Sequence, residues 1–224
     1  MLTSCCFIWT LYLKGIKMKI NTIEVGVKNG NIATEAADCI VVPEFENCAS
    51  RGGVGYAIEA AGMAEGLDAY DAIVERQARQ FGDAIITPSG KPGVAIAHVA
   101  TAGADEEKQF GVVNTAVYKT LVAAAAHGLS HVALPELGTG IIGSLTQEQS
   151  AKSIFNAVHR FSTEHPSSSV RNVSLIIFRG STTPAEKVLA EKSYIDLNAE
   201  KGKKPIDSHK VLAEVISMLA RNPK

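Results

Sequence analysis

The chain has 224 residues and a formal net charge of -1, so no overall basic field draws it to nucleic acid, and a nucleic-acid partner is not expected. The length allows one large domain, or one domain with an appendage. Residues are 46% hydrophobic but only 6% aromatic, the aliphatic balance of an α/β protein with a buried sheet.

Residues Met1 to Lys17 differ in character from the rest of the chain. The stretch Cys5 to Leu13 is apolar but too short to span a bilayer, and no basic region or small-x-small cleavage site accompanies it. We expect a non-core extension over 1–17 with Met18 as the functional first residue; a weak membrane anchor is the alternative. The cysteines are Cys5, Cys6, Cys39 and Cys48, with no CxxC pair and no His/Cys spacing for zinc. A reducing, cytoplasmic compartment is expected, with no metal, no cofactor and no membrane partner.

From Asn21 to Val27 the residues alternate as a strand and end at the turn sequence Lys28-Asn29-Gly30-Asn31. Ile32 to Ala33 and Asp38 to Val42 are further strand candidates. Cys39 to Val42 is a continuous apolar run, as for a strand covered on both faces, and Pro43 is expected to end it. Arg51-Gly52-Gly53-Val54-Gly55 forms a glycine loop before a short helix, Tyr56 to Gly62. Asp68 to Gln80 is expected as a second helix with Asp68 as its N-cap.

Val94 to Ala100 is expected as a buried strand and Val112 to His127 as a helix stopped by Gly128. His131 to Leu134 is the strand before a second glycine loop, Gly138-Thr139-Gly140-Ile141-Ile142-Gly143. Glycines at a strand-to-helix turn expose backbone N–H groups without Cβ obstruction, and the helix N-terminus after them adds positive dipole, which is the chemistry of a phosphate cradle. That helix is expected over Thr146 to Phe161, with Thr146 and Gln149 as a capping box. Val173 to Phe178 is the last core strand. Strands alternating with helices predict a mostly parallel sheet with helices on both faces. Thr183-Pro184 starts a helix to about Lys192, and Asp207 to Arg221 reads as a final amphipathic helix carrying Val211, Val215, Met218 and Leu219 on one stripe. The core domain is therefore expected over 18–182 and a helical appendage over 183–224, and a chain cut to Met18–Pro184 is expected to fold.

In order, Gly30-Asn31-Ile32, Asp38-Cys39-Ile40-Val41, Gly52-Gly53-Val54, Gly82-Asp83-Ala84 with Thr87, Ala97-His98-Val99, Asn114, Ala133-Leu134-Pro135 and Gly138 to Gly143 resemble the landmarks of the macro domain family, which binds ADP-ribose. The resemblance spans roughly Asn21 to Phe178. It implies a three-layer α/β/α fold with a mixed sheet, and as partners ADP-ribose or an ADP-ribosylated protein. It further implies that Gly138, Thr139, Gly140, Ile141, Ile142 and Gly143 wrap the phosphates next to the distal ribose. Gly52, Gly53, Val54 and Gly55 would approach the other side of the diphosphate. Asn31 with Ile32 would meet the adenine end, and Phe178 would stack on adenine, with an ordinary core position at a strand end as the alternative.

The departures concern catalysis. Hydrolases of the resembled family carry Asn-Ala-Ala-Asn where this chain has Val42-Pro43-Glu44-Phe45, and an aspartate where it has Gly55. Glu44, Glu46 and Glu136 are candidate general bases for a different hydrolysis. The alternative is that they are solvated loop residues or pair with Arg51. His98 reads as a satisfied core histidine, and Asn114 either caps a helix or reaches the ligand. Three functions stay open: a binding module for ADP-ribose or a related nucleotide diphosphate; a hydrolase of ADP-ribosyl bonds or of ADP-ribose 1″-phosphate using non-standard residues; or a scaffold without ligand.

Overall fold

Alternate residues of each central strand point to opposite faces of one sheet, and the apolar residues sort accordingly. On β3 (Cys39–Glu44) Cys39 and Val41 join one core, while Ile40 and Val42 join the other. Where a strand is covered on both faces its residues are mostly apolar, which is why the run Cys39 to Val42 is continuous. The computed structural model describes residues 16–140 and 143–178, with helical positions 184–186, 188, 189 and 192 beyond them. Most of the N-terminal extension, Ile141, Ile142 and the final amphipathic helix lie outside the described residues.

Among the described residues the sheet has seven strands. With β1 (Ile16–Ile20), β2 (Ile23–Asn29), β4 (Ala84–Pro88), β5 (Ala95–Ala100), β6 (His131–Pro135) and β7 (Asn172–Ile177), its order is β1-β2-β7-β6-β3-β5-β4. The five strands β2, β7, β6, β3 and β5 run parallel, and β1 and β4 pair antiparallel at the two edges. Helices α3 (Glu106–Ala126) and α4 (Gln147–Glu164) cover one face, burying Val113, Leu121, Phe155 and Phe161. Helices α1 (Val54–Ala60) and α2 (Ala64–Val74) cover the other with Ile58, Met63, Leu67 and Tyr70. The fold is thus the three-layer α/β/α arrangement with a mixed sheet. None of the described helices is long and apolar enough to cross a membrane.

Several elements differ from their sequence expectation for local physical reasons. Ile16 and Lys17 take part in β1, two residues ahead of Met18. Asn21 is not strand but the turn between β1 and β2, at φ 50, a left-handed conformation that asparagine tolerates. Ile32–Thr34 is a 3₁₀ turn, because the Asn31 side-chain oxygen accepts from Ala33 N and caps it. Pro43 does not end β3; pairing with β6 stops at Ile40, so a missing N–H costs no ladder bond on that side.

The helix expected from Asp68 runs instead over Ala64–Val74. Asp68 faces out and pairs with Arg51 at 2.8 Å rather than capping, and Arg79 N donates to Glu46 O at 2.8 Å, drawing the chain out of the helix. Helix α3 begins six residues before Val112, with Glu106 and Glu107 favourably placed in its first turn. Asn114 therefore lies within it, its side chain donating to Ser153 O of α4 at 3.0 Å. The capping box of Thr146 and Gln149 forms as expected. Beyond β7, Ala185, Val188 and Leu189 are buried in the core, on the far side of the expected boundary at 182.

Candidate functional site

All five parallel strands end on one edge of the sheet, and the loops that leave them meet there. Along this edge stand Gly30-Asn31 after β2, Phe178 after β7, residues 136–140 after β6, residues 45–55 after β3 and residues 101–103 after β5. Ligands of open α/β sheets bind at such carboxyl ends, where no element of the fold covers the cleft.

The loop after β6 is folded on itself. Gly138 takes φ 77, and its carbonyl oxygen accepts from Leu145 N at 2.9 Å; Gly140 O accepts from Gly143 N at 2.9 Å. Thr139 Oγ1 donates to Glu136 O at 3.0 Å, closing the start of the loop. A Cβ on Gly143 would collide with the Gly138 carbonyl, so only glycine allows this crossing. At Gly140 an added Cβ would meet no atom of the described residues within 4 Å. The Thr146 hydroxyl already satisfies Gln149 N, so part of the α4 terminus is capped from within.

The loop after β3 is held from below by Glu44, which is fully buried and not a solvated loop residue. One carboxylate oxygen accepts from Ser50 N, and the other lies 2.8 Å from His98 Nδ1. His98 Nε2 meets Thr87 Oγ1 at 2.8 Å, and the ring stacks on Tyr70 at 4.7 Å between centroids. Burial pushes the Glu44 carboxyl above its ordinary pKa, and the hydrogen bond from His98 offsets this only in part. His98 is the satisfied core histidine expected, but its partner is the carboxylate considered as a base. Glu44 does not pair with Arg51; Arg51 binds Asp71 at 2.7 Å and Asp68. The arrangement draws the loop against α1, so a Cβ on Gly55 would strike the Ser50 carbonyl. Gly53 opens the loop at φ 52, leaving Gly52 and Gly53 exposed.

Glu136 is half-buried beside the phosphate-loop candidate. Its Oε1 is buried with no hydrogen-bond partner among the described residues, and burial raises its pKa against a hydrogen bond with Gln147. Like Glu44, it neither stands free in solvent nor reaches Arg51. Glu46 lines a pocket of about 340 Å³ with Phe45, Asn47, Arg79 and Phe81, away from the Glu44 carboxylate. Phe178 is 63% exposed, which removes the core reading and leaves an aromatic ring beside the cleft. Asn31 has its amide oxygen committed to Ala33 N, and the Ile32 side chain is buried, so only the backbone of Ile32 could serve a ligand. Among the described residues no group of three or more His, Cys, Asp or Glu could hold a metal.

Gln109 was not marked by the sequence. It is buried, donates from Nε2 to Thr101 O at 2.9 Å, and has an Oε1 without a partner among the described residues. Its Cγ lies 3.3 Å from where a Gly138 Cβ would be, so it links the loops after β5 and β6. A glutamine in a helix carries no pattern that announces such a position.

Comparison with known proteins agrees with this geometry. The Macro domain family model matches residues 36–154. An Oceanobacillus iheyensis macrodomain with MES bound superposes with a TM-score of 0.69 at 21% identity, covering 78% of this chain and 94% of that one. The same organism's macrodomain with ADP gives 0.65 at 19% identity, over 78% and 94% of the two chains. A Trypanosoma brucei macrodomain in complex with ADP-ribose gives 0.62 at 18% identity, over 73% and 68%. With the strand order, the folded glycine loop and the family model in agreement, the chain belongs to the Macro domain family.

Proposed function

We propose that this chain binds ADP-ribose or a related nucleotide diphosphate across the carboxyl edge of the sheet. The observation that carries the reading is the glycine loop after β6: glycine-dependent where Gly143 crosses Gly138, and with no atom of the described residues above Gly140, where a phosphate would approach. Family membership and the relatives solved with ADP and ADP-ribose support the same ligand class. In this reading Gly52 to Gly55 flank the diphosphate from the β3 side and Phe178 stacks on the adenine. Asn31 offers its side-chain NH₂ and exposed backbone rather than its committed oxygen.

Isothermal titration with ADP-ribose tests this. Wild type binds, and Gly140→Glu loses binding while keeping its melting temperature, because the new side chain has room but sets a carboxylate against the phosphates. Equal affinity in both proteins contradicts the loop assignment.

A second reading, hydrolysis, rests on the unpartnered Glu136 oxygen with its raised pKa. Phe45 and Gly55 stand where the resembled hydrolases keep asparagine and aspartate, and Glu44 is sealed beneath Ser50. Binding without efficient turnover is therefore the primary reading. Should an ADP-ribosylated protein be turned over, Glu136→Gln abolishes the rate while sparing affinity.

A further inference from the structure

We propose that the pocket at the ends of β3 and β5 is a second base-binding subsite of the same cleft. The ligand is then a dinucleotide whose second base is a small, planar, cationic ring, as in NAD⁺. This rests on the nucleotide reading of the glycine loops and extends it.

Strand order places the pocket relative to the loops. Phe178 follows β7, the loop 138–143 follows β6, the loop 52–55 follows β3, and the pocket closes over the end of β5. Neighbouring strands lie about 4.8 Å apart, so Phe178 and the pocket are separated by roughly three strand spacings. A diphosphate resting on the two middle loops has an aromatic site on either side of it. A ligand ending in a bare sugar would use only one of them.

The lining of the pocket selects what enters. Phe45 and Phe81 supply two aromatic rings, and Phe81 is 37% exposed, a large apolar surface left uncovered. A cation over such rings is attracted by their quadrupole; of the two charged groups in the lining, the Glu46 carboxylate attracts it and the Arg79 guanidinium opposes it, the latter being offset by Asp83 at 3.3 Å. The Arg79 Nε–H is buried without a hydrogen-bond partner among the described residues, while its Nη2 is held 3.3 Å from Asp83 Oδ2. A donor left unpaired out of water is costly, and a carboxamide oxygen on the ring would satisfy it. The volume of about 340 Å³ lies at the lower end of the range for small-molecule sites, enough for one ring with its amide. Gln109 ties the residue before the lining pair Ala102 and Gly103 to the loop after β6, through Thr101 O on one side and Gly138 on the other.

The test is isothermal titration of the full chain with ADP-ribose, NAD⁺ and NADH, repeated on Phe81→Ala and Arg79→Gln. Stacking and one hydrogen bond predict that NAD⁺ binds about tenfold tighter than ADP-ribose. NADH, whose ring is neutral, falls between them. Each variant removes part of the NAD⁺ advantage and leaves ADP-ribose itself unchanged, which also shows that they fold. If ADP-ribose binds and NAD⁺ binds no tighter, the second subsite is wrong and the nucleotide reading stands. If neither binds, both readings fall. A peptide bearing ADP-ribosylated arginine that gains as much as NAD⁺, and loses it in Phe81→Ala, assigns the pocket to a modified side chain and overturns the dinucleotide.

Discussion

Glycines of one loop differ sharply in what they tolerate, and the difference comes from what surrounds each. Gly140→Ala should leave stability unchanged within about 0.5 kcal/mol, since the added methyl meets no atom. Gly143→Ala and Gly55→Ala should each cost about 2 kcal/mol or more, because backbone carbonyls must move aside. Chemical denaturation of the three variants checks this ranking. For the same reason Gly55→Asp should fail to create hydrolysis: the position is filled by the Ser50 carbonyl, not merely short of a carboxylate. Glu44→Ala strands Ser50 N and His98 Nδ1 and opens a cavity, and should cost about 3 kcal/mol, whereas Glu44→Gln retains an acceptor for Ser50 and should cost clearly less. The glycines of both loops could be read from the sequence because they stand in an ordered motif. The environment of Glu44 could not, since its partner His98 comes from a strand 54 residues further on and nothing in the local pattern points inward.

At the scale of elements, the strands reveal themselves where burial on both faces forces apolar runs, as at Cys39 to Val42 of β3 and Val132 to Leu134 of β6. The helix α4 announces itself through its capping box, and Thr146→Ala should cost about 1 kcal/mol in a denaturant titration. β4 escapes because it is a half-buried edge strand carrying Thr87 and Pro88, and the first turns of α3 escape because they are polar. Element ends are also tied electrostatically. Asp38, just before β3, accepts from Ser130 Oγ, Ser130 N and His131 N at the start of β6, and the Ser130 hydroxyl contributes most to holding its carboxyl below the ordinary range. A carboxyl with a lowered native pKa stabilises the fold above its unfolded pKa and loses that contribution as pH falls through the native one. Asp38→Ala should therefore be about 1 kcal/mol less stable than wild type at pH 7, discounted for partial exposure, with the gap closing below about pH 4. A gap that widens on acidification would contradict the assignment.

Across the whole molecule, five parallel strands all deliver their loops to one edge of the sheet, so the cleft is a consequence of topology rather than of any one motif. The core continues past β7 through Ala185, Val188 and Leu189. Cutting the chain after Pro184 removes these side chains and uncovers the core beneath them, at about 25 cal/mol per Å² of apolar area, and should lower the melting temperature by several degrees. An unchanged midpoint would mean that the segment adds nothing to the fold. The sequence did not reveal this docking because a short apolar pattern after a Pro reads equally well as an exposed appendage.

The central claim is that a nucleotide diphosphate lies across the glycine loops. Backbone amide chemical shifts recorded by NMR during titration with ADP-ribose test it most directly. The largest, saturable changes are expected at Thr139, Gly140, Gly143 and Gly53, with a change at Phe178 and little along α3 beyond Gln109. Saturation with the changes confined to the opposite, amino-terminal edge of the strands, or no change at all, would contradict it.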